Sequence, residues 1–128
     1  MKLKALIMDD SKIMRAMVMK TLENTGLASF SFVEAKDGAE GLVKFDPKHI
    51  DICFVDWNMP NLSGFDFVKK AREKKGAESV PMIMVTSEKS MGKMIDALDQ
   101  AGANAYVCKP FTVEELQHKL SPILEKMK

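Results

Sequence analysis

Five short apolar runs, separated by longer stretches with helical spacing, constrain this chain more than any other feature of it. The runs occupy residues 3–8, 28–35, 50–55, 80–85 and 105–108, and none exceeds the length of an ordinary strand. The stretches between them carry helix start and stop signals. Ser11 precedes Ile13, Met14, Met17, Val18 and Leu22 on one helical face, and Gly26 closes it. Asp37-Gly38-Ala39-Glu40 has the spacing of a capping box and opens a short helix that buries Leu42 and Phe45. Ser63 caps a third helix with Phe65, Val68 and Ala71 inward. Met91, Met94, Ile95 and Leu98 mark a fourth that ends at Gly102. Thr112-Val113-Glu114-Glu115 is a second capping box, opening a fifth helix through Leu116, Leu120 and Leu124.

Strands that alternate with helices pair in parallel through right-handed crossovers. Strands apolar on both sides need helices on both sides of the sheet. The expected fold is therefore α/β: an open, doubly wound, five-stranded parallel sheet with five helices. At 128 residues the chain can bury a full core, and with no linker or repeat in it residues 1–128 are expected to form one domain. Nineteen basic residues against 18 acidic ones leave a net charge of +1, which gives no electrostatic footprint for nucleic acid or a membrane surface. No apolar stretch approaches the length of a membrane span, and the first residues run straight into a strand pattern without a cleavage signature. Cys53 and Cys108 lie in apolar runs and read as buried free thiols of a reducing compartment. The cytoplasm is the expected location and a monomer the expected state.

In sheets of this kind, ligand sites form outside the carboxyl ends of the strands. Polar residues gather there: Asp9 and Asp10 after the first run, Asp56 after the third, Thr86 and Ser87 after the fourth, Lys109 after the fifth. Carboxylates that close repel one another unless a cation lies between them. Their oxygens suit a hard divalent ion such as Mg²⁺. Asp56 would then be both ligand and nucleophile, since carboxylates form aspartyl-phosphates. Lys109 would add positive charge and Thr86 a hydroxyl donor, which is most of what phosphoryl transfer needs. Singly, each residue has a plainer reading as a helix cap, a turn residue or a surface ion pair. All of them at one sheet edge do not.

Asp9-Asp10-Ser11, Asp56-Trp57-Asn58-Met59-Pro60 with Gly64, Thr86-Ser87 and Lys109-Pro110-Phe111 together resemble the response-regulator receiver family over essentially the whole chain. Trp57-Asn58-Met59-Pro60 is most similar to its stand-alone chemotaxis type. The resemblance implies a flavodoxin-like strand order of 2-1-3-4-5 and Mg²⁺ as cofactor. It implies Asp56 as phosphoacceptor, with Asp9, Asp10, Asp56 and the backbone carbonyl of Asn58 as metal ligands. Lys109 would pair with the phosphoryl group or Asp56, Thr86 and Tyr106 would form the switch, and the bond before Pro110 would be cis. A histidine kinase is the implied donor. An output protein, such as a flagellar motor switch, is implied on the face of the fourth helix, fifth strand and fifth helix, and a phosphatase is a further expected partner. With no DNA-binding segment after Lys128, the output is expected to be a protein, and the chain is not expected to be an enzyme beyond its own phosphorylation and dephosphorylation. Asn58 and Glu88 would flank the hydrolytic water and keep the phosphoryl group short-lived. One departure stands out: residues 86–101 run about one residue longer than the family pattern, and the addition is expected within 88–92.

Three other functions compete. A relay intermediate or phosphate sink would use the same site without an output partner. A phosphohydrolase of the haloacid-dehalogenase type wants a second aspartate two residues past the nucleophile, where this chain has Asn58. A flavin-binding domain of this topology would not place the acidic Asp9-Asp10-Ser11 against a phosphate. The eleven methionines read mainly as core fillers. His49 and His118 lack metal-ligand companions, and the lysine-rich stretches at 69–75 and 126–128 read as solvated helix ends.

Overall fold

The computed structural model describes residues Met1–Lys128. Five parallel strands, β1 (Lys2–Met8), β2 (Ser29–Ala35), β3 (Ile52–Val55), β4 (Met82–Thr86) and β5 (Ala105–Cys108), form one sheet in the order 2-1-3-4-5. Helices α1 (Lys12–Asn24), α2 (Gly38–Lys44), α3 (Gly64–Ala71), α4 (Met91–Ile95) and α5 (Val113–Met127) connect and cover them.

Alternation along the strands divides the core in two. Leu6, Met8, Cys53, Val55, Met82 and Met84 point to one face, where Phe45, Phe67, Val68, Ala71 and Tyr106 meet them. Ala5, Ile7, Ile52, Phe54, Ile83 and Val85 point to the other, beneath Val18 and Leu22 of α1 and Leu116, Leu120 and Leu124 of α5. The central strands β3 and β4 are buried along their whole length, which explains why their sequence runs lack alternation. All four expected caps form: Ser11, Asp37, Ser63 and Thr112 each accept a backbone N–H from the first turn of their helix.

Several side chains depart from the expected faces. In α1, Val18 and Leu22 are buried, but Ile13 and Met17 point to solvent, because the helix touches the sheet through a narrower stripe than its apolar spacing suggests. In α3 the inward aromatic is Phe67; Phe65 turns aside and packs on Trp57, ring centroids 5.4 Å apart. The expected fourth helix changes character. After α4 the chain continues through Asp96–Ala101 as a π-helical turn, with the Gly102 N–H bonded to the Ala97 carbonyl at 3.1 Å. Ala97 and Ala101 are the residues that reach the core there, while Met91, Ile95 and Leu98 stay exposed. Such a turn spans one residue more than an α-turn.

The stretch 69–75 is not wholly solvated. Lys74 Nζ donates to the carbonyls of Leu42 and Phe45 at 2.5 and 2.8 Å, closing the end of α2. Arg72 donates to the Gly102 carbonyl through Nε and Nη2, to Asn104 Oδ1, and to the carbonyls of Ala77 and Val80, all within 3.0 Å. Gly102 has φ of 94°, a conformation that suits glycine and turns the chain out of the π-helical segment toward β5. Cys53 is buried, as expected; Cys108 is only half-buried.

Candidate functional site

Sheet register decides which polar residues meet. Met8 lies opposite Val55, so the next residues, Asp9 and Asp56, leave neighbouring strands side by side. Thr86 lies opposite Cys108, so Lys109 emerges next to Thr86. Backbone bonds continue the ladder past the strand ends: Asp56 N–H to the Met8 carbonyl at 3.0 Å, and Lys109 N–H to the Thr86 carbonyl at 2.9 Å. With strands about 4.8 Å apart, the four residues come to one edge of the sheet.

Carboxylate oxygens of Asp9, Asp10 and Asp56 come within 4.8 Å of one another. Asp9 and Asp56 are buried, Asp10 exposed. Asp9 is held on both oxygens: Oδ1 accepts the Ser11 N–H at 2.9 Å and Oδ2 accepts Lys109 Nζ at 2.5 Å. Arg15 fixes its backbone, donating to the Asp9 carbonyl at 2.7 Å while pairing with Glu34. Lys109 Nζ stands 3.6 Å from Asp56 Oδ2, so in this structure the ammonium pairs more closely with Asp9 than with Asp56. The Lys109-Pro110 bond is cis. Burial pushes the Asp56 carboxyl above the usual carboxylate range and the Asp9 charge adds to that; the Thr86 hydroxyl, the Lys109 ammonium and the Asn58 N–H pull it back. Hard oxygen donors in a compact cluster, one of them open to solvent, suit a divalent cation that keeps some of its water.

The loop after β3 is built tightly. Gly64 packs so closely on the Asp56 carbonyl that a Cβ there would overlap it. The Gly64 N–H donates to the Trp57 carbonyl at 2.9 Å. Asn61 adopts φ of 67° and donates to Asp37, the cap of α2, at 2.8 Å. Asn58 stands exposed, with its N–H toward the Asp56 carboxylate.

Thr86 is fully buried, and its hydroxyl accepts the Glu88 N–H at 3.3 Å. Tyr106 is buried too, its hydroxyl donating to the Glu88 carbonyl at 2.7 Å, and burial raises its pKa to about 12. Sequence reasoning missed three supports of the site. Arg15, Asn61 and Lys93 lie outside any motif, and only the fold brings them to it. A cleft of about 480 Å³ also opens beside Lys109, lined by Met14, Met17, Thr21, Ser87, Pro110 and Phe111; it is mainly apolar and does not contain the carboxylates.

The family profile described as response regulator receiver domain matches residues 5–121. Chemotaxis protein CheY1 of Helicobacter pylori is 38% identical over 123 residues, which cover 95% of this chain and 97% of that one. A chemotaxis protein CheY homolog of Campylobacter jejuni is 40% identical over 125 residues, covering 95% and 92%. The solved structure of chemotaxis protein CheY4 of Vibrio cholerae superposes with a TM-score of 0.83 at 34% identity, covering 96% of this chain and 99% of that one.

Proposed function

This chain belongs to the response-regulator receiver family, and we propose that it is a phosphorylation switch whose acceptor is Asp56 and whose donor is a histidine kinase. The observation that carries the proposal is the meeting of Asp9, Asp10 and Asp56 within 4.8 Å, with Lys109 reaching two of them. Asp9, Asp10, Asp56 and the Asn58 carbonyl would hold Mg²⁺, which when bound supplies the positive charge that lets an anionic donor approach three carboxylates.

The chain's own residues do the rest. An Asp56 oxygen attacks phosphorus; the new P–O bond forms as the P–N bond to the donor imidazole breaks, and the imidazole nitrogen keeps the electron pair. Lys109, held by Asp9, is poised to pair with a phosphoryl oxygen once Asp56 carries the group. The Thr86 hydroxyl, whose oxygen accepts the Glu88 N–H, shifts to donate its proton to a second phosphoryl oxygen. Tyr106, bonded to the Glu88 carbonyl, reports that movement to the face of α4, β5 and α5. A partner that prefers the rearranged face is then recruited by population shift. The chemotaxis relatives support an output in chemotaxis; a flagellar motor switch as partner, a phosphatase that resets the signal and action in the cytoplasm complete the proposed reading. In this reading residues 1–128 act as one receiver unit that turns over no separate substrate. No helix is long and apolar enough to cross a membrane.

The test is intact mass after incubation with acetyl phosphate and Mg²⁺. Wild type is expected to gain one phosphoryl group and Asp56→Asn none; an unmodified wild type, or a modified Asp56→Asn, refutes the assignment. Decay of the modified species within minutes fits an output switch, whereas persistence for many hours fits a relay intermediate.

A further inference from the structure

Helix α4 contributes one side chain to the rim of the acceptor site. The Lys93 ammonium lies 3.2 Å from Glu88 Oε2 and 5.4 Å from the centroid of the Trp57 ring. Glu88 stands in the loop after β4, two residues beyond Thr86, and Trp57 directly follows Asp56. One cation on α4 thus joins the two loops that leave β3 and β4 on either side of the site. Glu88 is also held through its backbone, its N–H on Thr86 and its carbonyl on Tyr106.

We propose that Lys93 is a positioning residue, latching α4 onto the unphosphorylated site by bridging Glu88 and Trp57, and that the latch yields on phosphorylation. This rests on the phosphoacceptor role of Asp56. When the Thr86 side chain shifts toward a phosphoryl oxygen, the oxygen that accepts the Glu88 N–H at 3.3 Å shifts with it, and the backbone there must follow or give up that bond. Glu88 does not move independently, because its carboxylate is paired with Lys93 and Lys93 lies on Trp57. Either the bridge opens or α4 follows. The Lys93 and Glu88 side chains are 43% and 25% exposed, so the ion pair and the cation–π contact are both weak. Weakness suits the role: an interaction present in only one of two states biases the equilibrium by its own strength, and a strong one would lock it. Lys93 also neutralises Glu88 at the edge of a site already crowded with carboxylates.

Trp57 is the only tryptophan, so its emission reads the latch directly. Wild type, Lys93→Met and Lys93→Arg are compared in the full chain. Lys93→Met is expected to accept a phosphoryl group from acetyl phosphate about two- to fivefold faster than wild type, having lost an interaction that holds the resting form. Its Trp57 emission before donor is added differs from wild type. Lys93→Arg restores both the rate and the emission, because a guanidinium pairs with a carboxylate and stacks on an indole. Wild-type phosphorylation with an unchanged rate in Lys93→Met overturns the latch and leaves the acceptor reading standing. A slower Lys93→Met whose deficit vanishes at high salt makes Lys93 a steering charge, and also overturns the latch. A wild-type chain that gains no phosphoryl group overturns both readings.

Discussion

Helices α3 and α4 follow the two strands whose ends carry Asp56 and Thr86, yet the fold holds them in opposite ways. α3 buries Phe67, Val68 and Ala71, begins at a glycine pressed on the Asp56 backbone, and inherits a loop tied through Asn61 to the cap of α2. α4 buries none of its residues, exposes Met91 and Ile95, and gives way to i→i+5 bonding within two turns. The difference follows from what each side must do. In the proposed function, carboxylates that hold a cation and present a nucleophile need fixed positions, because errors of about an ångström already cost much of the rate. In the same reading, a surface that reports the state of the site needs two arrangements of nearly equal energy, which suits a shallowly packed helix.

The contrast is open to direct attack by mutation, and the largest effect expected is in the packing. Phe67→Ala should lower unfolding free energy by about 3–5 kcal/mol, whereas Ile95→Ala should change it by less than about 0.5 kcal/mol, both read from denaturant midpoints. Comparable losses at the two positions would erase the distinction. Next come the glycines. Gly64→Ala should destabilise by about 2–3 kcal/mol through overlap with the Asp56 carbonyl. Gly92→Ala, whose nearest neighbour would be Ser90 Oγ at 3.7 Å, should stabilise by about 0.5–1 kcal/mol through helix propensity. The same sign at both would contradict the two modes of attachment.

A smaller effect sharpens the electrostatic side. The Asp56 carboxyl is raised above its ordinary value, chiefly by burial, so its ionised form opposes folding at neutral pH. Asp56→Asn should therefore raise the denaturant midpoint of the metal-free protein, an advantage that Mg²⁺ removes by stabilising wild type. The smallest effect concerns Asp37, whose carboxyl the Glu40 N–H and Asn61 hold below its ordinary value of 3.8. Its contribution is present above that pH and lost as pH falls through the lower folded value. Asp37→Asn should flatten the acid limb of stability below about pH 4 without touching the neutral plateau.

What the sequence discloses divides along the same line. Asp9, Asp10, Asp56, Thr86 and Lys109 were legible because each follows an apolar run, and strand register alone brings such residues together. Caps were legible because their chemistry is local. The strand order was not written in any spacing; it followed from the resemblance. Periodicity misplaces part of the inward faces of α1 and α3, because Ile13, Met17 and Phe65 satisfy it while Val18, Leu22 and Phe67 take the buried positions. Periodicity also failed across residues 91–101, where a π-helical turn shifts the inward face onto Ala97 and Ala101. Arg72 and Lys74 sat in what read as a solvated stretch, since the carbonyls that receive them belong to segments about 30 residues away as well as to nearby turns.

Arg72 also decides how the exposed helix can travel. By clasping the Gly102 carbonyl with two nitrogens and Asn104 with one of them, it anchors the far end of residues 91–101 to the C-terminus of α3. A segment of 11 residues is about 16 Å long, clasped at one tip by Arg72 and held near the other by the weak contacts of Lys93. Its permitted motion is thus a swing about Gly102 and not a detachment, so a small displacement of the loop beyond Thr86 sweeps Met91 through a wider arc than Leu98. The exposed apolar side chains at the Met91 end are the ones carried furthest.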